Sequence, residues 1–215
     1  MKNKILYIIS VLLISFYTLS AQVVLQKQTG GDDVVTSLRF RTDTIPVAMN
    51  KAKEVLNAIN KMQAVDEWRM EKSEVDKQGT KHQYYLQYYK GIRVAYGVYS
   101  MHGNNKDQLE SAIGNFQKID NVNITPQLSE PEALQYAMKY IGAESYKWQI
   151  PEEERWAREY LNETYYPKAE MVVVKDILQN TNAYRLAYKF DIYPLWRKFE
   201  RSGNLCPKHR QLIAV

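Results

Sequence analysis

Cysteine is all but missing from this chain. Cys206 stands alone among 215 residues, so no disulfide can close within the molecule and the fold must rest on packing. Histidine is nearly as scarce. His82, His102 and His209 are scattered singly, with no H-E-x-x-H and no Cys/His cluster. Neither a G-x-S-x-G elbow nor a glycine-rich phosphate loop occurs. These absences weigh against an enzyme, and no catalytic, cofactor-binding or metal-ligating residue is assigned. The longest apolar run, Ile5 to Leu19, falls short of the roughly 20 residues of a membrane span.

That run has another use. Lys2 and Lys4 precede it, and the small residues Ser20 and Ala21 follow before polar chain begins at Gln22. This is the order of a secretory signal peptide over residues 1–21, with cleavage expected between Ala21 and Gln22. Export to a periplasmic or extracellular location follows, with a membrane contact only through an uncleaved signal.

The formal charge of +5 invites a nucleic-acid partner, and its distribution removes one. Residues 1–21 hold +2, and residues 194–215 hold +4 from Arg197, Lys198, Arg201, Lys208 and Arg210 against Glu200. The rest of the chain is left at −1. A nucleic-acid binder concentrates its cations on the folded surface.

Between leader and tail, the periodicity describes two α+β units. "TDTIPVAMNKAKEVLNAINKM" predicts an amphipathic helix capped by Thr44, with Pro46 in its first turn and Ala48, Ala52, Val55, Ile59 and Met62 facing a core. The period then changes to two. "EWRMEKSEVD", a turn at Gly79, and "KHQYYLQYY" read as strands, with Tyr84, Leu86 and Tyr88 on one face and Tyr85, Gln87 and Tyr89 on the other. Gly91 breaks the run, and Ile92, Val94, Tyr96 and Val98 are expected to share a face of the next strand. "HGNN" marks a hairpin and "QLESAIGNF" the return. The prediction is an antiparallel meander of three or four strands, covered on one side by the helix.

A polar link around Pro126 separates the second unit. There "LSEPEALQYAMKYIGA" carries a capping box, Ser129 with Glu132, and stops at Gly142. "PEEERWAREYLNE" predicts a more exposed helix, and "AEMVVVKD" and "AYRLAYKFDIY" predict strands, the last alternating buried and wet. Residues 194–215 show no sustained period and are assigned no fold.

Several side chains invite chemistry and are better explained without it. His82 and His102 are expected to be packed or solvated, since a zinc site needs three or four ligands brought together. Glu152, Glu153 and Glu154 suit the positive start of a helix better than a calcium ion. The seventeen tyrosines fit half-buried strands better than a carbohydrate platform. Cys206 beside Lys208 and His209 has the surroundings of a reactive thiol but no predictable fold beneath it.

Taken in order, "DEWRMEKSEVDKQGTKHQYYLQYYKGIRVAYGVYSMHGNNKDQLESAIGNF" resembles the fungalysin/thermolysin propeptide (FTP) domain. The chain from "LSEPEALQYAMKYIGAESYKW" through "YPKAEMVVVKD" to "YRLAYKFDIY" resembles the PepSY-like half that follows it in pro-regions of secreted thermolysin-like zinc metalloproteases, particularly of the Bacteroidetes type. The resemblance divides the chain into an FTP-like domain over 35–116 and a PepSY-like domain over 128–193. It departs from the family pattern at Arg93, where proline is common, and at Ala95-Tyr96, where a small residue and glycine are common. It implies a non-catalytic pro-region that inhibits its metallopeptidase domain and assists its folding, in cis if the precursor is intact and otherwise in trans. In the family the strand ending "DIY" leads on toward a peptidase. The basic, unpatterned stretch after Pro194 is therefore expected to be a frameshift, gene break or early stop. The alternative is a stand-alone secreted binding or protease-inhibitor module acting in trans.

Overall fold

The computed structural model describes residues 24–43, 45–176, 183–195 and 209–214. The leader, the proposed Ala21–Gln22 junction, Thr44 and Cys206 lie outside them. The architecture is mixed, helices with antiparallel sheet, and the chain divides into two units, Met1–Lys118 and Ile119–Val215.

The first unit contains strands β1 (Val24–Thr29), β2 (Val35–Phe40), β3 (Asp66–Val75), β4 (Lys81–Tyr89), β5 (Ile92–Gly103) and β6 (Leu109–Asn115), with helix α1 (Ala52–Asn60). All pair antiparallel, in the order β1-β2-β6-β5-β4-β3. The expected meander β3 to β6 is present. The pair β1–β2 extends it, and no apolar alternation announces β1, whose last five residues are all exposed. Leu56 and Ala52 of α1 pack with Trp68, Tyr85, Tyr99, Met101, Leu38 and Ala112 in one core.

Helix α1 begins later than its apolar stripe suggests. The sheet claims the backbone ahead of it. Leu109 N–H donates to the Val47 carbonyl at 2.7 Å, Met49 N–H donates to the Asp107 carbonyl at 2.7 Å, and Ala48 bridges Gln108. Backbone groups bound to β6 cannot also close helical turns. Only a short 3-10 turn, Met49–Lys51, precedes the helix, and Lys61 ends it in the left-handed region at φ 48°.

A second correction concerns β5. The turn Lys90-Gly91 has positive φ at both positions, 48° and 81°, as a two-residue type I′ hairpin requires. From it, Tyr89 pairs Ile92 and Tyr88 pairs Arg93. The next pair is Leu86 with Val98, so the single residue Gln87 lies opposite the four residues 94–97. This bulge adds three residues to β5, and an odd shift exchanges the faces. Ile92, Val94, Tyr96 and Val98 therefore do not share a side. Val94 is buried, while Tyr96, at φ 65°, and Val98 are exposed.

Gln87 fills the bulge. Its buried amide clamps Gln117, Nε2 donating to the carbonyl at 2.8 Å and Oε1 accepting the backbone N–H at 2.8 Å. A Cβ on Gly97 would come within 2.6 Å of Gln87 Cβ, so the clamp also explains that glycine.

The second unit is built from α2 (Glu130–Ile141), β7 (Ser145–Tyr146), α3 (Pro151–Trp156), β8 (Glu170–Lys175), β9 (Tyr184–Ile192), β10 (Pro194–Leu195) and β11 (His209–Ala214). The capping box forms as expected. The Glu132 carboxylate accepts from Ser129 N–H at 2.8 Å and from its hydroxyl at 2.6 Å, and Gly142 closes the helix at φ 65°. Helix α3 runs on into a π turn, Ala157–Leu161. Ala133, Leu134 and Ala137 of α2 pack with Tyr146, Tyr188, Phe190 and Ile192. β9 pairs β8 on one side and β11 on the other, and β10 pairs β7. Two strands thus lie within residues 194–215, where periodicity offered none. Backbone pairing to β9 forms β11, and such pairing leaves no mark in side-chain pattern.

Candidate functional site

In the first unit, α1 covers one face of the sheet, and the residues of the opposite face can be read from the register. β4 contributes His82, Tyr84, Leu86 and Tyr88. β5 contributes Val98, Ser100 and His102, and β6 contributes Ser111, Ile113 and Asn115. Val98 is 39% and Ile113 56% exposed, with the four β4 side chains half-buried beside them. Charged groups of β3 border this apolar strip. The Arg69 guanidinium lies 4.0 Å above the Tyr88 ring and is held by Glu67 at 2.8 Å. Lys72 pairs with Glu74, and Glu74 accepts from the Tyr84 hydroxyl at 3.2 Å. Among the described residues β3 pairs only β4, so its other edge is open.

At one end of the face the two histidines meet. His82 and His102 are direct cross-strand partners, with Nδ1 to Nδ1 at 2.8 Å. His82 Nε2 lies 3.1 Å from Asp76 Oδ2. The other oxygen of Asp76 accepts the backbone N–H of Gln78 and of Thr80, each at 2.9 Å. The His82 bond, then the Thr80 N–H, hold the Asp76 carboxyl below the usual range. Burial, and then the neighbouring His82, push His102 down. The sequence expectation of packed or solvated histidines describes the burial but misses the pair. The signal lay in the register, which the β5 bulge sets.

The remaining candidates of the sequence take structural roles. Glu154 accepts from the Thr164 hydroxyl at 2.5 Å, Tyr165 N–H at 3.0 Å and Arg158 at 3.0 Å, and these bonds, the Thr164 one foremost, lower its pKa. Glu153 pairs with Lys147 at 3.2 Å, and Glu152 approaches Arg155 at 4.0 Å. Each acid therefore has a cationic or hydrogen-bonding partner. Of His209 only the backbone is described, in β11. Among the described residues no group of three or more His, Cys, Asp or Glu is placed to hold a metal ion. None of their helices is long and apolar enough to cross a membrane.

A pocket of about 580 Å³ in the second unit is lined by Arg158, Tyr165, Tyr166, Lys168, Asp191 and Tyr193 among others. It is a shallow polar surface. Tyr165 packs edge-on against Tyr193 at 5.1 Å between ring centres.

The sheet with the open face is also where a family match falls. Residues 66–116 match the family model described as Fungalysin/Thermolysin Propeptide Motif. The β3–β6 segment is an FTP propeptide domain. The match begins at the first residue of β3 and ends one residue past β6, so it takes in the whole meander, the Gln87 bulge and the histidine pair. No curated protein matches the chain. The family's description implies a propeptide that associates with a peptidase of the thermolysin or fungalysin type.

Proposed function

We propose that this chain acts as the pro-region of an exported thermolysin-like metallopeptidase, inhibiting the peptidase and assisting its folding. The observation that carries the reading is the FTP match over β3–β6, on a sheet with one face packed and the other open. A face of half-buried aromatics bordered by charge, next to an unpaired strand edge, suits docking against another folded domain. Neither inhibition nor assisted folding needs a nucleophile or a metal on this side of the contact. A partner that binds only the native peptidase stabilises it by mass action, and one that covers the cleft blocks substrate.

The second unit belongs to the same proposal. Residues 128–193, with α2 packed on β9, are read as the PepSY-like half that accompanies the FTP domain. Export uses the leader, with cleavage between Ala21 and Gln22. N-terminal sequencing of the chain recovered from a secreting host checks this directly, and a mature protein starting elsewhere would discard that site.

Titrating the purified chain into a mature thermolysin-like peptidase tests the inhibitory role, with circular dichroism showing that the sheet is folded. Dose-dependent loss of peptidase activity is expected. A folded chain that leaves activity unchanged at about tenfold excess over micromolar enzyme, where even a 1 μM complex would be well populated, sinks the reading.

A further inference from the structure

We propose that His82 and His102 form a two-ligand site for a late first-row divalent metal ion, copper(II) or zinc(II), with water completing the coordination. This inference does not depend on the pro-region reading.

The two ring nitrogens stand at hydrogen-bond distance, close enough to bind one metal ion lying off the line between them once the bridging proton has left. Two Nδ1 atoms face each other at 2.8 Å across adjacent strands. Metal–imidazole bonds of about 2.0–2.1 Å place two ligand nitrogens about 2.9 Å apart at a right angle and about 3.4 Å apart at the tetrahedral angle. The observed separation matches the square-planar preference of copper(II). The tetrahedral value is reached by a few tenths of an ångström at each ring, within the freedom of a partly exposed side chain. The rings stand nearly perpendicular, at 82°, with 5.0 Å between centres.

Asp76 supplies a second observation that itself points to a metal. With His82 neutral, a hydrogen bond from Nε2 to this carboxylate puts the His82 proton on Nε2 and leaves Nδ1 as the proton-free nitrogen facing His102. Carboxylate–histidine–metal triads use the same arrangement to fix tautomer and ring orientation. Two backbone N–H groups hold the carboxylate in turn, so the orientation is built into the β3–β4 turn and not left to a mobile side chain. On binding, the proton that bridges the two Nδ1 atoms leaves the gap, and His102 becomes the Nε2–H tautomer. The Nδ1–H bond of His102 breaks and an Nε2–H bond forms through solvent, and the only other bonds made are the two dative ones.

The surroundings tolerate a dication. Glu74 lies directly across β3 from His82, and Ser111 lies across β6 from His102. Asp107, paired with Lys81, belongs to the turn at the same end, and Arg39 is one strand beyond Ser111 on β2. The His82 side chain is 20% exposed, which leaves room for water on the open side of the face.

The test uses the full chain without an affinity tag. Copper(II) alone is added and read by electron paramagnetic resonance, and zinc(II) alone by its effect on thermal unfolding. A saturable copper signal with two equivalent imidazole nitrogens is expected, together with a zinc-dependent rise in Tm. H102Q should abolish both, with its sheet verified by circular dichroism. D76N retains both ligands and should weaken binding about ten- to a hundredfold, while H209Q should leave it unchanged. A signal that survives H102Q, or one lost in H209Q, overturns the proposal, as does the absence of saturable binding at millimolar metal.

Discussion

A glutamine in the middle of a strand is a costly core residue unless its amide is fully used, and Gln87 uses both ends of it on Gln117. Gln87→Leu keeps most of the volume and removes both bonds. It is expected to lower stability by about 2–3 kcal/mol, read as a drop in urea midpoint, with faster hydrogen exchange at the Gln117 amide. Gly114 is constrained still more tightly. A Cβ there would sit 2.2 Å from the Val98 carbonyl oxygen, so Gly114→Ala should cost about 3 kcal/mol, the upper part of the overpacking range. Tyr99 makes a pH prediction. Burial pushes its phenol up to about 12, against a hydrogen bond with Asn60 that pulls the other way. A raised pKa means that the folded state holds its proton longer than the unfolded chain does. Stability from this group is therefore complete below about pH 10 and falls as pH rises toward 12. Denaturant titrations at pH 9 and 11 should show the fall, and Tyr99→Phe should flatten it. Gln87 and Tyr99 were legible in the sequence as polar residues within strands. Their partners lay 30 or more positions away and were not.

The elements divide into those whose ends are chemical and those whose ends are tertiary. Helix α2 starts at Ser129 and stops at Gly142 as its capping box and terminal glycine demand, because both signals act within one turn. Ser129→Ala should cost about 1 kcal/mol, measured by denaturation of the chain. The Glu132 carboxyl is lowered by its two Ser129 bonds and that of Glu154 chiefly by Thr164. Such groups stabilise the fold above their ordinary pKa and cease to as pH falls through the lowered one, so the second unit should loosen below about pH 4. Far-ultraviolet dichroism against pH checks this, with E154Q shifting the profile. Helix α1 is the other kind. Its apolar stripe is continuous from Ala48, and only the hydrogen bonds of Val47 and Met49 to the β6 side delay its start.

For the whole molecule, the decisive event is the register of the β4–β5 hairpin. Without the bulge, the Tyr88–Arg93 pairing would run on and put Tyr99 opposite His82. With it, His102 takes that place, and Tyr99 turns into the core against Trp68, edge to face at 5.3 Å. The open face, the histidine pair and the aromatic core thus depend on one irregularity held by Gln87. A chain lacking the second unit, residues 24–118, keeps that whole assembly and is expected to unfold in one cooperative transition. A broad, non-cooperative melt would show that the first unit does not stand alone.

By itself the sequence determined the class of fold, the meander β3–β6, the hairpin turns and the caps of α2, all of which rest on interactions within a few residues. It also carried the likeness to a propeptide, since that pattern is one of ordered strands and turns. Tertiary structure alone decided the joining of β1 and β2, the strand β11, the late start of α1 and the meeting of His82 with His102. Each of these is settled by which backbone groups find partners far along the chain. Side-chain periodicity records which face a residue turns to the core, and it says nothing of the strand that lies alongside.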